Sequence, residues 1–220
     1  MSVGPSTIGG TVRQRAVQEL RARIITGALP PGTRLDLDAI TAEFGTSRTP
    51  VREALFELSY EGLVKVAPRS GVTVIGVTPA DALDSFALLA TLAGKAAEWA
   101  AERIDAAGLD RLRLLAAEVA AAQGDPRMIE ANWHFHRELH RAARSPRLLA
   151  LIRQAVRAVP SNFFEVFPDY AHHSQAEHEE LVAALELGDG TRARQVAEAH
   201  VLAAGDVLGN WLTERVVASA

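Results

Sequence analysis

The chain of 220 residues contains no cysteine. This absence excludes disulfide bonds and thiolate metal sites, and it is consistent with a reducing compartment. No apolar run approaches the roughly 18 residues that a membrane-spanning helix needs. The N-terminus also lacks the basic and apolar regions of a signal peptide. We therefore expect a soluble, cytoplasmic protein that has no membrane partner.

Several signatures of catalytic and nucleotide-binding sites are missing as well. The sequence has no G-x-S-x-G elbow, no phosphate-binding P-loop and no G-x-G-x-x-G. Glu177 and Glu179 lie beside His178, but adjacent positions on a helix point away from each other, so neither is an obvious general base. These absences predict that the protein is not an enzyme.

The net charge of −4 is unevenly distributed along the chain. Residues 1–77 hold nine basic and seven acidic side chains, a balance of +2, so the remaining residues carry −6. A protein that coats DNA without sequence preference would need a broad basic surface. This distribution favours contact with DNA through one small face, as in a site-specific regulator.

Residues 45–58 have the pattern of a turn that leads into a DNA-recognition helix. Gly45 can end a preceding short helix in a left-handed conformation, and Ser47 is a good N-cap for the next helix. Arg48 and Arg52 lie one turn apart on the polar face, and we expect both guanidinium groups to be exposed rather than sequestered in ion pairs. The alternative is a small α/β packing module whose arginines lie on an ordinary solvent-exposed helix face. The apolar face consists of Val51, Ala54, Leu55 and Leu58.

Two short β-type runs surround the turn at residues 68–71 and predict a hairpin. A hairpin directly after a helix-turn-helix forms a wing. Arg69 would lie at its tip, where a cation can enter the minor groove or contact phosphate.

From Thr78 onward the pattern is helical throughout, with short connections that are typical of an antiparallel bundle. We therefore predict a mainly α protein. A flexible tail at residues 1–10 precedes a winged helix-turn-helix of three helices plus a β-hairpin at residues 11–77. An all-α antiparallel helical bundle of six or seven helices follows at residues 78–220.

The bundle also contains a candidate set of metal ligands. Asn132 and His136 lie four residues apart and project from one helix face, while His178 and His200 lie on two later helices. One amide oxygen and three imidazoles could enclose a divalent cation. The alternative is that each histidine is an ordinary surface or core residue. Among the others, His140 shares the face of His136, His134 points elsewhere, and His172 and His173 are expected to be exposed.

The runs GALPPGTRL, GTSRTPVREALFELSYEGLV and APRSGVTV occur in that order within residues 11–77. They resemble the winged helix-turn-helix of the GntR family of bacterial transcriptional regulators. Asp38 stands where some relatives carry a DNA-contacting arginine, so the resemblance implies that this contact is absent. The positions that it implies for operator contact are Ser47, Arg48, Thr49, Arg52, Arg69 and Gly71.

The runs NWHFHRELHRAARSPRLL and SQAEHEELVAALELGDGTRARQVAEAHV resemble the all-helical FCD-type effector domain of the FadR-like branch of that family. The resemblance implies a zinc, nickel or manganese ion. Asn132 stands where aspartate is usual, which removes a negative charge and implies a weaker site, or one completed by an anionic effector. The implied ligands are Asn132, His136, His178 and His200.

The resemblance also bears on the effector. Many relatives hold an effector carboxylate with an arginine where this chain has Leu88 and Leu89, and Ala93 replaces a nearby glutamate. A small organic acid would need the metal, or Arg153 or Arg157, which are otherwise surface charges on an amphipathic helix.

Together these features predict a ligand-responsive repressor that binds a pseudo-palindromic operator as a homodimer. The alternatives are a metal-dependent hydrolase and a regulator whose bundle only dimerises.

Overall fold

The computed structural model describes residues 10–67, 71–122, 125 and 127–218. The chain divides into two units, one ending at Thr78 and the other beginning at Pro79. Nearly all of the predicted tail, and the predicted wing tip with Arg69, lie outside the described residues. Within the described ranges, no helix combines the length and the apolar character that a membrane crossing requires.

Three helices build the first unit: α1 (Val12–Ile25), α2 (Leu37–Glu43) and α3 (Arg48–Tyr60). Helix α2 begins after Asp36, whose Oδ1 accepts a hydrogen bond from the backbone N–H of Asp38 at 2.8 Å. This cap satisfies one of the free donors at the helix start and fixes the direction of α2.

The turn before α3 follows the sequence pattern with one difference. Gly45 has φ 59°, the left-handed conformation expected of a glycine that ends a helix. Ser47 lies at the N-cap position, but its side chain makes no capping hydrogen bond. The prediction is therefore correct for the position of Ser47 and wrong for its hydrogen bond.

The predicted hairpin forms part of a three-stranded antiparallel sheet. Its strands are β2 (Val64–Ala67) and β3 (Gly71–Val74), and β1 (Arg34–Leu35) pairs with the other edge of β3. Strand β1 was not predicted because two residues are too few to show an alternating pattern.

A buried ion pair connects α1 to the end of α3. Nε and Nη2 of Arg21 donate to the two carboxylate oxygens of Glu61, each at 2.7 Å, and the side chains are only 10% and 17% exposed. Two parallel hydrogen bonds define one relative orientation of the groups, so this pair holds the C-terminal end of α3 against α1. The apolar face of α3 also packs inward as predicted, through Val51, Ala54, Leu55 and Leu58.

The second unit is helical throughout its described residues, which confirms the mainly α fold. Its α-helices are α4 (Pro79–Arg103), α5 (Ala106–Ala121), α6 (Arg127–Ala142), α7 (Pro146–Ala155), α8 (Phe163–Val166), α9 (Tyr170–Glu186) and α10 (Gly190–Ala218). Helix α5 begins after Asp105, which caps it by accepting a hydrogen bond from the N–H of Gly108 at 2.8 Å.

The two longest helices, α4 and α10, approach each other closely through glycine. A Cβ atom at Gly205 would lie 2.6 Å from Cβ of the buried Phe86. This position therefore needs a residue without a side chain. Gly94 lies against the side chain of Glu198 in the same way, but that flexible side chain can move aside. The close packing fixes α10, which carries His200, against α4.

Candidate DNA interface and histidine cluster

The polar face of α3 is exposed at its N-terminal end. Ser47, Arg48, Thr49 and Arg52 are all exposed, and Gly71 is exposed at the start of β3 with φ 87°. Recognition helices read DNA with residues near their N-terminus. The structure therefore leaves these five positions accessible on the first unit.

Arg48 does not have the free guanidinium group that we expected. Its Nε and Nη2 donate to Oδ1 and Oδ2 of Asp38, each at 2.7 Å. The turn between α2 and α3 brings the first residue of α3 against the second residue of α2. The hydrogen bond to Asp38, together with its charge, raises the pKa of Arg48 above its ordinary value. The two side chains remain 67% and 64% exposed, so the pair does not remove Arg48 from solvent.

Arg52 differs from Arg48 in its surroundings. Among the described residues, no carboxylate forms an ion pair with Arg52. Its side chain lies along a shallow groove that is lined by apolar groups, including those of Phe56 and Val66. The guanidinium group of Arg52 is thus available to an incoming phosphate or base.

The histidines predicted to act together do meet inside the second unit. Nε2 of His136 on α6 lies 3.3 Å from Nε2 of His178 on α9 and 3.2 Å from Nε2 of His200 on α10. All three ligand nitrogens lie within 4.8 Å of one another. Helices α6, α9 and α10 thus bring one histidine each to the same point.

Burial favours the neutral form of two of the three rings. Burial, together with the neighbouring His200 and His178, holds the pKa of His136 well below its ordinary value. Burial and His200 do the same to the pKa of His178. Neutral imidazole carries a free lone pair, which is the form that binds a metal ion.

A carboxylate that the sequence did not assign orients one of these rings. Oε2 of Glu177 lies 2.7 Å from Nδ1 of His200. Glu177 does point away from its neighbour His178, as expected, but it points toward α10 and the cluster. The hydroxyl group of Tyr170 also donates to the backbone carbonyl of His200 at 2.7 Å. Carboxylates in this position commonly fix the tautomer of a metal-binding histidine.

Asn132 lies one turn before His136 and is 6% exposed. Its Oδ1 is buried and has no hydrogen-bond partner among the described residues. A buried amide oxygen without a partner is costly, so it indicates that a donor or a cation belongs beside it. Asn132 therefore stays a predicted fourth ligand, one helical turn before His136.

Two of the three separations between ligand nitrogens also match those around a metal ion. Metal–nitrogen bonds of about 2.1 Å place neighbouring ligand nitrogens roughly 3.0 to 3.4 Å apart in octahedral or tetrahedral geometry. The two measured separations from His136, 3.3 and 3.2 Å, fall within that range. Three imidazoles and one amide oxygen suit zinc, nickel or manganese.

The other histidines lie apart from this group. Burial lowers the pKa of His140 to about 4, and the ring of His140 is centred 6.2 Å from that of His136. His134 faces Glu130 instead, at 3.7 Å. The side chains of His172 and His173 lie outside the described residues.

The residues considered for an effector carboxylate are either apolar or exposed arginines. Leu88 is 68% exposed, whereas Leu89 and Ala93 are buried in the unit. Arg153 and Arg157 are both exposed. Aromatic rings surround the cluster instead, and the ring of Phe135 is centred 4.3 Å from that of His178.

Comparison with known proteins matches each of the two units to a family model. Residues 12–74 match the model of "Bacterial regulatory proteins, gntR family", and residues 84–203 match the FCD domain. The "Probable D-xylose utilization operon transcriptional repressor" of Paenarthrobacter nicotinovorans is 30% identical over 201 residues, covering 90% of this chain and 87% of that protein.

Two further similarities support less, because one covers only part of each chain and the other shows the fold alone. An HTH-type transcriptional regulator of Streptomyces ambofaciens is 43% identical over 79 residues, which are 36% of this chain and only 34% of that protein. The solved structure of E. coli McbR/YncC has a TM-score of 0.71 at 24% identity, covering 90% of this chain and 97% of that one, and shows the fold. With both family models matched, the chain belongs to the GntR family of bacterial regulators, with a C-terminal FCD domain, and is a DNA-binding transcriptional regulator rather than an enzyme.

Proposed function

We propose that this regulator is a repressor that binds a pseudo-palindromic operator as a homodimer. When the FCD domain binds a small organic acid, the dimer dissociates from the operator or changes its arrangement on the operator. The name of the Paenarthrobacter relative supports repression. A coupling of about 1–3 kcal/mol between effector and operator binding is typical of such regulators.

The observation that carries the DNA-reading part is the exposed N-terminal end of α3. The uncapped Ser47 hydroxyl and the neighbouring Thr49 are free to donate to phosphate, while the arginines reach base edges or phosphates. Arg69 joins this set from the sequence pattern alone. The proposed contacts are Ser47, Arg48, Thr49, Arg52, Arg69 and Gly71.

The DNA-reading face is tested with Arg52→Ala, using an operator selected from a random duplex pool. Operator affinity, measured by fluorescence anisotropy, is expected to fall by roughly 1–3 kcal/mol, because one cationic contact is lost. Arg147→Ala is the control, since Arg147 is an exposed arginine of the FCD domain. Equal affinities of the two variants would reject this face.

In the FCD domain, the proposed metal ligands are Asn132, His136, His178 and His200. When bound, a zinc, nickel or manganese ion supplies positive charge to which an anionic effector oxygen can bind. The residues of the chain provide the rest of the site: Glu177 fixes the ring of His200, and the aromatic side chains exclude water from the apolar part of an effector.

Metal content tests this ligand set. His178→Ala is expected to retain less zinc than the wild type after incubation with zinc and extensive dialysis, as measured by mass spectrometry of the metal. His134→Ala is the matched control, because His134 faces Glu130 rather than the cluster. Equal zinc content in His178→Ala and wild type would remove the ligand set. A wild type that holds no metal would instead favour a bundle that only dimerises.

The homodimer is tested separately. Two copies of the winged domain would read half-sites that lie about 10 base pairs apart, or a multiple of that spacing. Sedimentation velocity of the protein with the selected duplex is expected to show two chains on each duplex. One chain on each duplex would contradict the dimeric mode of binding.

A further inference from the structure

The pair formed by Arg48 and Asp38 uses only one edge of the guanidinium group. Asp38 accepts from Nε and Nη2. A guanidinium group has five N–H donors, so three remain: two on Nη1 and one on Nη2. Two of these point in parallel from the far edge of the group. That far edge is the fork that matches O6 and N7 of a guanine in the major groove.

The backbone of Asp38 is fixed at the start of α2. It lies in the first turn of α2, where its backbone N–H is bonded to the capping side chain of Asp36. Its two carboxylate oxygens both accept from Arg48, which fixes the plane of the guanidinium group as well as its position. A long arginine side chain normally loses rotamer freedom when it binds, and prior fixation removes part of that cost.

The pair also changes what Arg48 can contribute electrostatically. A carboxylate at this place compensates the charge of Arg48 and repels phosphate, so the pair adds little to general attraction toward DNA. Arg52, which no described carboxylate pairs with, keeps that role. The observed arrangement therefore suits base readout by Arg48 better than phosphate binding.

We propose that Asp38 is a specificity-determining residue of this regulator, which positions Arg48 so that the pair selects guanine at one base of each operator half-site. This inference rests on the proposed DNA-reading face of α3. It assigns a role to the position where the family resemblance implied only a missing contact.

The test compares the base preferences of full-length variants selected on the same random duplex pool. Arg48→Ala identifies the operator position that Arg48 reads, with a loss of guanine preference of roughly 5- to 150-fold, the range for one bidentate contact. Asp38→Ala is expected to weaken the guanine preference at that same position by roughly fivefold. Asp38→Asn, which keeps one acceptor oxygen, is expected to lie between Asp38→Ala and the wild type.

Glu43→Gln is the matched control. It removes one negative charge from the same helix, α2, but Glu43 pairs with Arg23 on α1. Its base preferences are expected to equal those of the wild type, while the thermal midpoints of all variants stay close together because Asp38 and Arg48 are exposed. A merely structural role of Asp38 would lower the midpoint without changing preference at a single base.

Three outcomes overturn the inference. Asp38→Ala could bind every sequence more tightly and keep the guanine preference, in which case Asp38 only masks charge. Asp38→Ala and Arg48→Ala could alter different operator positions. The wild type could also select no sequence, and then the proposed DNA-reading face fails together with the inference. When the wild type selects an operator and Arg52→Ala weakens its binding, only the role of Asp38 is at issue.

Discussion

The carboxylate of Glu177 lies 2.7 Å from Nδ1 of His200, on the side of the ring opposite to the histidine cluster. An ionised carboxylate only accepts hydrogen bonds, so Nδ1 must carry the proton. In a neutral imidazole the other nitrogen then carries the lone pair, and Nε2 of His200 lies 3.2 Å from Nε2 of His136. Glu177 thereby selects the tautomer that a metal site needs.

Glu177→Gln is therefore expected to weaken zinc binding by roughly 10- to 100-fold, because the ring of His200 loses its ionised partner. Competition with a zinc-binding dye measures the change. Glu179→Gln is the control, since Glu179 is exposed and accepts from Gln175 on the same helix. A similar loss in both variants would mean that overall charge, rather than the contact with His200, decides zinc affinity.

Asn132→Asp is expected to strengthen zinc binding but to destabilise the protein when no metal is bound. A carboxylate supplies the negative charge that the amide lacks, so zinc affinity is expected to rise roughly tenfold or more. Without metal, the new charge is buried without a partner and lowers the free energy of unfolding. Urea unfolding with zinc and with a chelator measures both effects. An unchanged zinc affinity would exclude residue 132 from the ligand set.

Acid stability provides a test of the buried His140. Its pKa of about 4 in the folded protein lies below the ordinary value of 6.5. Between pH 4 and pH 6.5, His140 is therefore protonated in the unfolded chain but neutral in the folded one. The free energy of unfolding therefore falls as the pH drops below 6.5, and from His140 alone the loss at pH 5 is about 2 kcal/mol. His136 faces His140 and adds a loss of the same sign.

His140→Gln is accordingly expected to lose about 2 kcal/mol less stability than the wild type between pH 7 and pH 5. Urea midpoints measured with a chelator present keep metal release out of the comparison. An identical pH dependence of the two proteins would show that His140 is not held neutral by burial.

The contact between α4 and α10 predicts unequal effects at two glycines. Gly205→Ala places a methyl group 2.6 Å from Cβ of the buried Phe86, where the backbone must shift, and is expected to cost about 1–3 kcal/mol. Gly209→Ala meets only the end of the exposed Leu83 side chain, at 3.1 Å, and can gain from the higher helix propensity of alanine. Thermal unfolding of both variants measures the difference, and equal midpoints would contradict the packing.

Regular spacing within one element explains what the sequence could predict. The four-residue interval between Asn132 and His136 placed both on one face of α6, and Gly45 marked the end of α2. The resemblance to family members then connected His178 and His200 to that face. The structure brings the three histidines together, while the metal itself stays a prediction.

Contacts between elements explain what the sequence could not predict. A helical pattern shows that Glu177 points away from His178. It cannot show that the carboxylate of Glu177 contacts His200 on another helix. The ion pair of Asp38 and Arg48 likewise depends on the angle of the turn between α2 and α3, which no spacing rule specifies. Ser47 matched the preference for an N-cap, yet the local geometry left its hydroxyl unused.

Helix α3 is attached near both ends by paired guanidinium and carboxylate groups, but the two attachments differ in burial. Arg21 and Glu61 are mostly buried at the C-terminal end, whereas Arg48 and Asp38 are exposed at the other. Dissolved ions screen exposed charges far more than buried ones. The attachment at the N-terminal end of α3 is therefore weakened by rising ionic strength more than the attachment at its C-terminal end.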